Sequence, residues 1–565
     1  MKKQWWHGRT AMQIYPKSFY DANGDGTGDL RGIIEKLDYI KSIGVDIIWI
    51  SPIYRSPFVD QGYDISDYYQ IDPGFGTMED MEELLREAKK RDMYILMDLV
   101  VNHCSSEHAL FKKALADPEG EYGQYFYFRK GKGNGQPPCN WRAYFGGSVW
   151  EKVPGHDDLW YLHLFAKEQP DLNWENPALR RRVYDMIRWW LEKGLAGFRI
   201  DAIINIKKDL SFRDYPADRD DGMCSVHNML KHASGIGDFL LEMRHETFDR
   251  YNALAIAEAF DIKDGELPLF VGDDGYFSSI FDFSTEGLCK SRRGYFASGL
   301  PSVTEVRDTL YKSQAEMGDH GFFCNIVENH DEPRGASRYL PVSGQNDAGK
   351  KLLGLLMHMR RGMPFLYQGQ EIGMMNYPFR NIDEIEDIGT LNEYRVALAA
   401  GLSEDEALAA VSLFSRDNAR TPVQWSDDPQ AGFTTADTPW FPVNPNYREI
   451  NVRAQEKDPD SVLNFYRSLG ALRKDPAYAE TIVYGTFEPV LQEYSDLYAF
   501  FRRSAGKQLL VLGNMSEKEV TVPVPAESGN PHKDLKVVLN NLKHLEIQKN
   551  RITLAPWQGV ILDVT

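Results

Sequence analysis

Three carboxylates stand where short apolar runs end. Asp201 closes Gly197-Phe198-Arg199-Ile200, Glu258 closes Ala255-Ile256-Ala257, and Asp331 follows Asn329-His330 just beyond the run Phe322 to Val327. An acid buried at the end of an apolar strand is costly unless it has a partner or a task. Arg199 lies two residues before Asp201, and strand side chains alternate with period two, so both project to the same side. That neighbour would hold Asp201 ionised, as a nucleophile requires; a purely structural Arg–Asp pair is the competing reading. For Glu258, desolvation and neighbouring carboxylates should raise the pKa, which suits a proton donor. Asp331 would stay ionised and grip sugar hydroxyls. His103, after Asn102, and His330 could hydrogen-bond the same sugar or be satisfied core histidines. Three carboxylates round a neutral pocket suit glycoside hydrolysis. One attacks the anomeric carbon, one protonates the leaving oxygen, and the oxocarbenium charge needs a nearby anion. Retention of configuration would place the Asp201 and Glu258 carboxyls about 5–5.5 Å apart.

The elements that must position these groups alternate apolar strands with amphipathic helices. Met12–Tyr15, Val45–Ile50, Tyr94–Val101, Gly197–Asp201, Ala253–Glu258, Ser279–Phe283, Phe322–Val327 and Pro364–Tyr367 read as strands. Leu30–Ile43, Met78–Arg91 and Arg180–Lys193 read as helices. Eight such strands alternating with helices predict a parallel sheet buried on both faces, most simply a closed (β/α)8 TIM barrel in the α/β class. In that fold the polar residues ending successive strands converge on one mouth. Residues 104–169, rich in Gly, Pro, Trp and Tyr, predict an inserted subdomain after the third strand, forming one wall of the site. From Thr481 onward the pattern turns to short alternating runs, predicting a C-terminal antiparallel β-sandwich over 481–565 and leaving 1–103 and 170–480 to the barrel.

Composition limits the partners. A formal charge of -19 over 565 residues argues against nucleic acid and gives no reason to expect an anionic membrane surface. A small neutral oligosaccharide is the expected substrate. The N-terminal residues lack the apolar run of a signal peptide, and no stretch nears ~18 consecutive apolar residues, so a cytoplasmic protein is expected. Five scattered cysteines without a Cys-x-x-Cys pair indicate free thiols. The oligomeric state stays open, with a monomer expected.

Asp98-Leu99-Val100-Val101-Asn102-His103, Gly197-Phe198-Arg199-Ile200-Asp201, Ile256-Ala257-Glu258 and Glu328-Asn329-His330-Asp331 resemble, in order, the four signature regions of the α-amylase superfamily, glycoside hydrolase family 13. Gln61-Gly62-Tyr63-Asp64, Pro333-Arg334 and the stretch from Ser415 to Trp425 resemble its oligo-1,6-glucosidase subfamily. That group also holds α-1,4-glucosidases, sucrose-acting enzymes, sucrose isomerases and trehalose-6-phosphate hydrolases. The resemblance implies Asp201 as nucleophile, Glu258 as acid/base and Asp331 as transition-state stabiliser. It further implies Asp64 and Arg420 as a clamp on the 4- and 3-hydroxyls of the terminal glucose, hence exo-action; Asp64 as a turn residue is the alternative. The expected activity is a retaining exo-α-glucosidase acting first on isomaltose-like substrates, without a catalytic cofactor. Transglucosylation or isomerisation is the nearest rival, and a catalytically dead binding subunit is the non-enzymatic one.

Asp21, Asn23, Asp25, Thr27 and Asp29 place oxygen side chains at every second position with glycines between, resembling the start of a calcium loop. Similar enzymes hold one structural calcium here; a polar turn is the alternative. The sequence departs from the subfamily pattern in three places: Ala202 where Val is usual in α-1,6-strict enzymes, Glu332 where Gln is usual, and the tripeptide Ala259-Phe260-Asp261 after the fifth strand. All three should touch the leaving-group side, so mixed α-1,6 and α-1,4 activity is expected.

Overall fold

The structure, a computed structural model, describes residues 2–260, 262–291, 293–525, 535–548 and 550–565; Asp261 lies outside them. Eight parallel strands close on themselves: β1 (Ala11–Ile14), β2 (Ile47–Ile50), β3 (Tyr94–Leu99), β4 (Gly197–Ile200), β5 (Leu254–Ala257), β6 (Ser279–Phe281), β7 (Phe323–Asn325) and β8 (Gly362–Tyr367). β1 pairs with both β2 and β8, which closes the barrel. All eight predicted strands are present; β3 to β7 end one or two residues before their apolar runs do, where the chain leaves the ladder at the mouth, whereas β2 starts two residues late, β1 is displaced by one residue and β8 starts two residues early. The strands are buried on both faces, and so they read as continuous apolar runs.

Helices Met78–Lys90 and Pro177–Glu192 follow their predicted spans closely, each with a side-chain cap on its first turn. The single helix expected over Leu30–Ile43 is instead two, Leu30–Glu35 and Leu37–Ser42. Lys36 leaves helical geometry between them, and its ammonium lies 3.7 Å from the Tyr20 ring centroid. Apolar periodicity continues across a one-residue break, so the pattern could not reveal it.

The excursion after β3 carries one α-helix, Ala109–Ala116, a 3-10 turn over Tyr122–Tyr125 and a three-stranded antiparallel sheet. It is joined by a second excursion after β4, in which Cys224–Ser225 pairs with Trp141–Arg142. Phe212, Tyr215 and Met229 from that second segment share a core with Trp141, Trp150 and Trp160. Two loops therefore build this wall. Beyond helix Ala479–Tyr484 lie a five-stranded and a three-stranded antiparallel sheet, together packing Leu510, Leu512, Val522, Ile552 and Leu562 in one core. No helix among the described residues is long and apolar enough to cross a membrane.

Candidate active site

The mouth of the barrel is organised by Arg199. This guanidinium is 1 % exposed; its Nη1 donates to Asp201 Oδ1 at 2.7 Å and to Asp98 Oδ1 at 2.8 Å, while Nη2 stands 2.7 Å from Glu258 Oε1. Period-two alternation does put Arg199 and Asp201 on one side of β4, but the cation is shared among three acids. Asp98 was not singled out as a site residue, although it opens the motif ending in His103. Its second oxygen accepts from Trp49 Nε1 and Tyr63 Oη. Glu258 Oε2 accepts the backbone N–H of Ala202 at 2.9 Å, so the residue after Asp201 ties the two carboxylates together. Ala202 takes φ 40°, a left-handed geometry that β-branched residues resist.

Opposing effects act on the Asp201 carboxyl. Burial pushes the Asp201 carboxyl well above its ordinary value; Arg199 pulls it down, but Glu258, Asp98 and Asp331 add to the rise. The pull of Arg199 on Asp201 is divided, because the same guanidinium serves Asp98 and Glu258, and Glu258 also has a backbone donor. Proton occupancy in such a coupled set belongs to the set, not to one carboxyl.

Asp331 is the most open of the three acids, with its side chain 31 % exposed. Burial raises its pKa, but the opposing pull of His330, Arg416, Arg420 and Arg199 prevails and leaves it below the ordinary carboxylate range. Arg416 Nη1 donates to Asp331 Oδ1 at 3.1 Å. His330 itself is driven down to about 3 by burial, so it is neutral at pH 7 and the arginines carry the charge effect. Its Nδ1 meets Gln13 Nε2 at 2.8 Å, and its Nε2 meets Tyr63 Oη at 2.6 Å and Asp331 Oδ2 at 3.0 Å. With Gln13 donating, the proton sits on Nε2. His103 is similarly engaged, by Tyr63 O, Gln169 and Asn102. Both imidazoles therefore stand at the site with their ring nitrogens already met by protein groups.

The two residues expected to clamp the terminal glucose, Asp64 and Arg420, are both buried. Asp64 is fully buried; its oxygens accept from Val59 N at 3.0 Å, Asp60 N at 3.1 Å and Ser56 Oγ at 3.1 Å, and burial lifts its carboxyl to about 6. These bonds tie Asp64 to the turn from Ser56 to Asp60. Asp60, four residues earlier, faces Arg416 instead, with Nη2 to Oδ1 at 3.3 Å. Arg420 is 1 % exposed and lies behind Asp331 at 3.6 Å, while Arg416 reaches Asp60, Asp331 and, at 2.6 Å, Asp387. Asp60 adjoins the Gln61–Asp64 motif and Arg416 lies inside the Ser415–Trp425 stretch. The signal was present, but adjacent acids and two arginines in one motif cannot be ranked without a fold. The aromatic wall was also missed: Phe145 lies 4.9 Å from the Arg416 guanidinium, and Phe165 packs 5.0 Å from His103.

The proposed calcium loop is curled round its own backbone. Asp21 accepts from Gly24 N and Gly26 N, both at 2.7 Å, and Asp29 accepts from Ala22 N, Asn23 N and Gly32 N. Asn23 and Asp25 accept from Asp25 N and Thr27 N. Hard oxygens and positive φ at Gly24 and Gly26 fit calcium chemistry. Among the described residues, however, no three His, Cys, Asp or Glu side chains are gathered as for a metal ion.

Comparison with known proteins gives the family of the chain. The alpha-amylase catalytic-domain family matches residues 13–485, and the alpha-amylase SusG C-terminal domain matches 497–561. The chain is 40% identical to an oligo-1,6-glucosidase from Parageobacillus thermoglucosidasius over 100% of both chains. Among solved structures, the trehalose-6-phosphate hydrolase of Bacillus licheniformis superposes with a TM-score of 0.92 at 39% identity, covering 99% of this chain and 100% of that one. The isomaltulose synthase of Klebsiella sp. LX3 superposes with a TM-score of 0.93 at 36% identity over 100% of both. A closed barrel with three acids at its mouth, matched in sequence along almost its whole length, makes this chain a member of the alpha-amylase family.

Proposed function

We propose that the protein is a retaining exo-α-glucosidase that removes non-reducing terminal glucose from isomaltose and short isomalto-oligosaccharides, with some α-1,4 activity. The observation that carries this reading is Arg199 holding Asp201 and Glu258 on the two nitrogens of one guanidinium, with Asp331 facing them beneath Arg416.

Asp201 attacks the anomeric carbon as Glu258 gives its proton to the glycosidic oxygen, and the bonding pair leaves with that oxygen. Glu258 then takes a proton from water, which attacks the same carbon and releases Asp201. One proton on the Asp201/Glu258 pair suffices for the first step. Burial among anions keeps that proton in the site, and the arriving glycosidic oxygen draws it to Glu258. Asp331, held ionised by the arginines, steadies the positive charge on the ring. Asp60 and Arg416 close the far end on the terminal hydroxyls, and this blind pocket makes the enzyme exo-acting. His103, His330 and Arg199 complete the sugar's surroundings.

Initial rates on isomaltose, maltose, sucrose and trehalose 6-phosphate test this, with Asp201→Asn as the control. Isomaltose should lead and the variant should be inactive; maltose leading would overturn the linkage assignment. A dominant isomerised disaccharide from sucrose would replace hydrolysis with transfer. We further propose one structural calcium at Asp21, Asn23, Asp25, Thr27 and Asp29, apart from the chemistry. A cytoplasmic setting fits five cysteines that are all buried and unpaired.

A further inference from the structure

Glu332 departs from the subfamily pattern and stands directly after Asp331. It is 4 % exposed, a costly place for a carboxylate unless it is paired. Two cations pair it. Lys290 Nζ from the loop after β6 lies 2.6 Å from Oε1, and Arg338 Nη1 from helix Gly335–Tyr339 lies 2.8 Å from Oε2. Arg338 is buried, whereas the Lys290 side chain is 39 % exposed, with its ammonium turned to Glu332. Glu286 belongs to the same loop and lies near enough for Glu332 and Glu258 both to disfavour its ionisation. Glu332 is bonded in sequence to Asp331, and Glu286 feels the charge of both Glu332 and Glu258, so the cluster stands beside the acids of the site.

We propose that Glu332 is a specificity-determining residue: by holding Lys290 it occupies a cation of the leaving-group wall, so that the subsite takes a neutral sugar and rejects a phosphorylated one. This rests on the glycosidase reading above, with Glu258 facing the leaving group. A phosphate entering here would have to displace Glu332 from Lys290 and would meet the freed Glu332 carboxylate. Hydroxyls of a neutral sugar can accept from Lys290 without breaking the pair. Replacing Glu332 by Gln keeps the shape, removes the competing charge and releases the ammonium, a compact cation well suited to phosphate.

The test is competition by trehalose and by trehalose 6-phosphate against hydrolysis of p-nitrophenyl α-D-glucoside, since the two competitors differ only in the phosphate. In the wild type, trehalose 6-phosphate should compete no better than trehalose. In Glu332→Gln its inhibition constant should fall about tenfold relative to that of trehalose, and a Lys290→Met/Glu332→Gln double variant should lose the gain. An unchanged ratio in Glu332→Gln overturns the proposal, as does a gain that persists without Lys290. The wild-type ratio decides even if the variant does not fold: a phosphate preference of about tenfold or more there contradicts the proposal. A wild type that fails to hydrolyse the reporter would instead sink the glycosidase reading, and this inference with it.

Discussion

At the scale of single residues, what a side chain does here follows from how many partners it already has. Asp64 spends its oxygens on Val59 N, Asp60 N and Ser56 Oγ, whereas Asp60 directs a carboxylate at Arg416. Asp60→Ala and Arg416→Ala should therefore lower kcat/KM about 10²–10³-fold, the loss expected when a charged hydrogen bond to substrate is removed. Asp64→Asn should instead lower the melting temperature, with about 1–3 kcal/mol of stability lost from unsatisfied turn donors. Kinetics and thermal melts on the three variants separate the two roles. The pH profile follows from the shared proton. Asp98 is an anion that favours protonation of Asp201, and it also draws on Arg199. Asp98→Asn removes that charge and leaves Arg199 to the Asp201/Glu258 pair, so the pair should release its proton more readily. The alkaline limb of kcat/KM should move to lower pH by about 0.5–1 unit; a shift to higher pH would contradict the charge assignment. The three acids and Arg199 were legible in the sequence because each ends an apolar run. The sharing of Arg199 was not, since Asp98 and Glu258 reach it from other strands.

At the scale of elements, the barrel strands were legible because fully buried strands bounded by Gly leave unbroken apolar runs. The second excursion was not, because its aromatic residues acquire a core only by meeting those of the first. Gly197 opens the strand that carries Asp201, and a Cβ there would stand 1.9 Å from Leu254 O on the paired strand. Gly197→Ala should force β4 from β5 and cost about 3 kcal/mol or more, read as a lowered urea midpoint together with lost activity. The loop from Asp21 to Asp29 gives a sharper alternative. If calcium holds it, chelation should lower the melting temperature by several degrees while leaving the rate at 25 °C nearly unchanged. An unmoved melting temperature would mean that the backbone N–H groups already donating to Asp21 and Asp29 satisfy the loop.

At the scale of the whole molecule, the C-terminal sheets are bound into the barrel's outer layer. Tyr498, Phe500, Val511 and Trp557 share one buried cluster with Leu352, Leu355 and Leu356 of helix Asp347–Met359. Arg502, 0 % exposed, donates to Met359 O at that helix's C-terminal end and to Gly485 O and Thr486 O just past helix Ala479–Tyr484. Calorimetry should therefore show a single unfolding transition, and Arg502→Ala should lower it by several degrees by leaving those carbonyls unmet. Two separated transitions would mean that the sheets unfold alone. Alternating short strands announced this region in the sequence; its anchorage depends on an arginine that no local pattern distinguishes.

The central claim is that Asp201 forms a covalent glucosyl intermediate within a site that Arg199 assembles. Incubation with 5-fluoro-α-D-glucosyl fluoride, which forms that ester quickly and releases it slowly, followed by peptide mass spectrometry, tests it most directly. The account predicts one label per chain, on the peptide containing Asp201, and none in Asp201→Asn. A label on Glu258 or Asp331, or steady turnover in the variant, would contradict it.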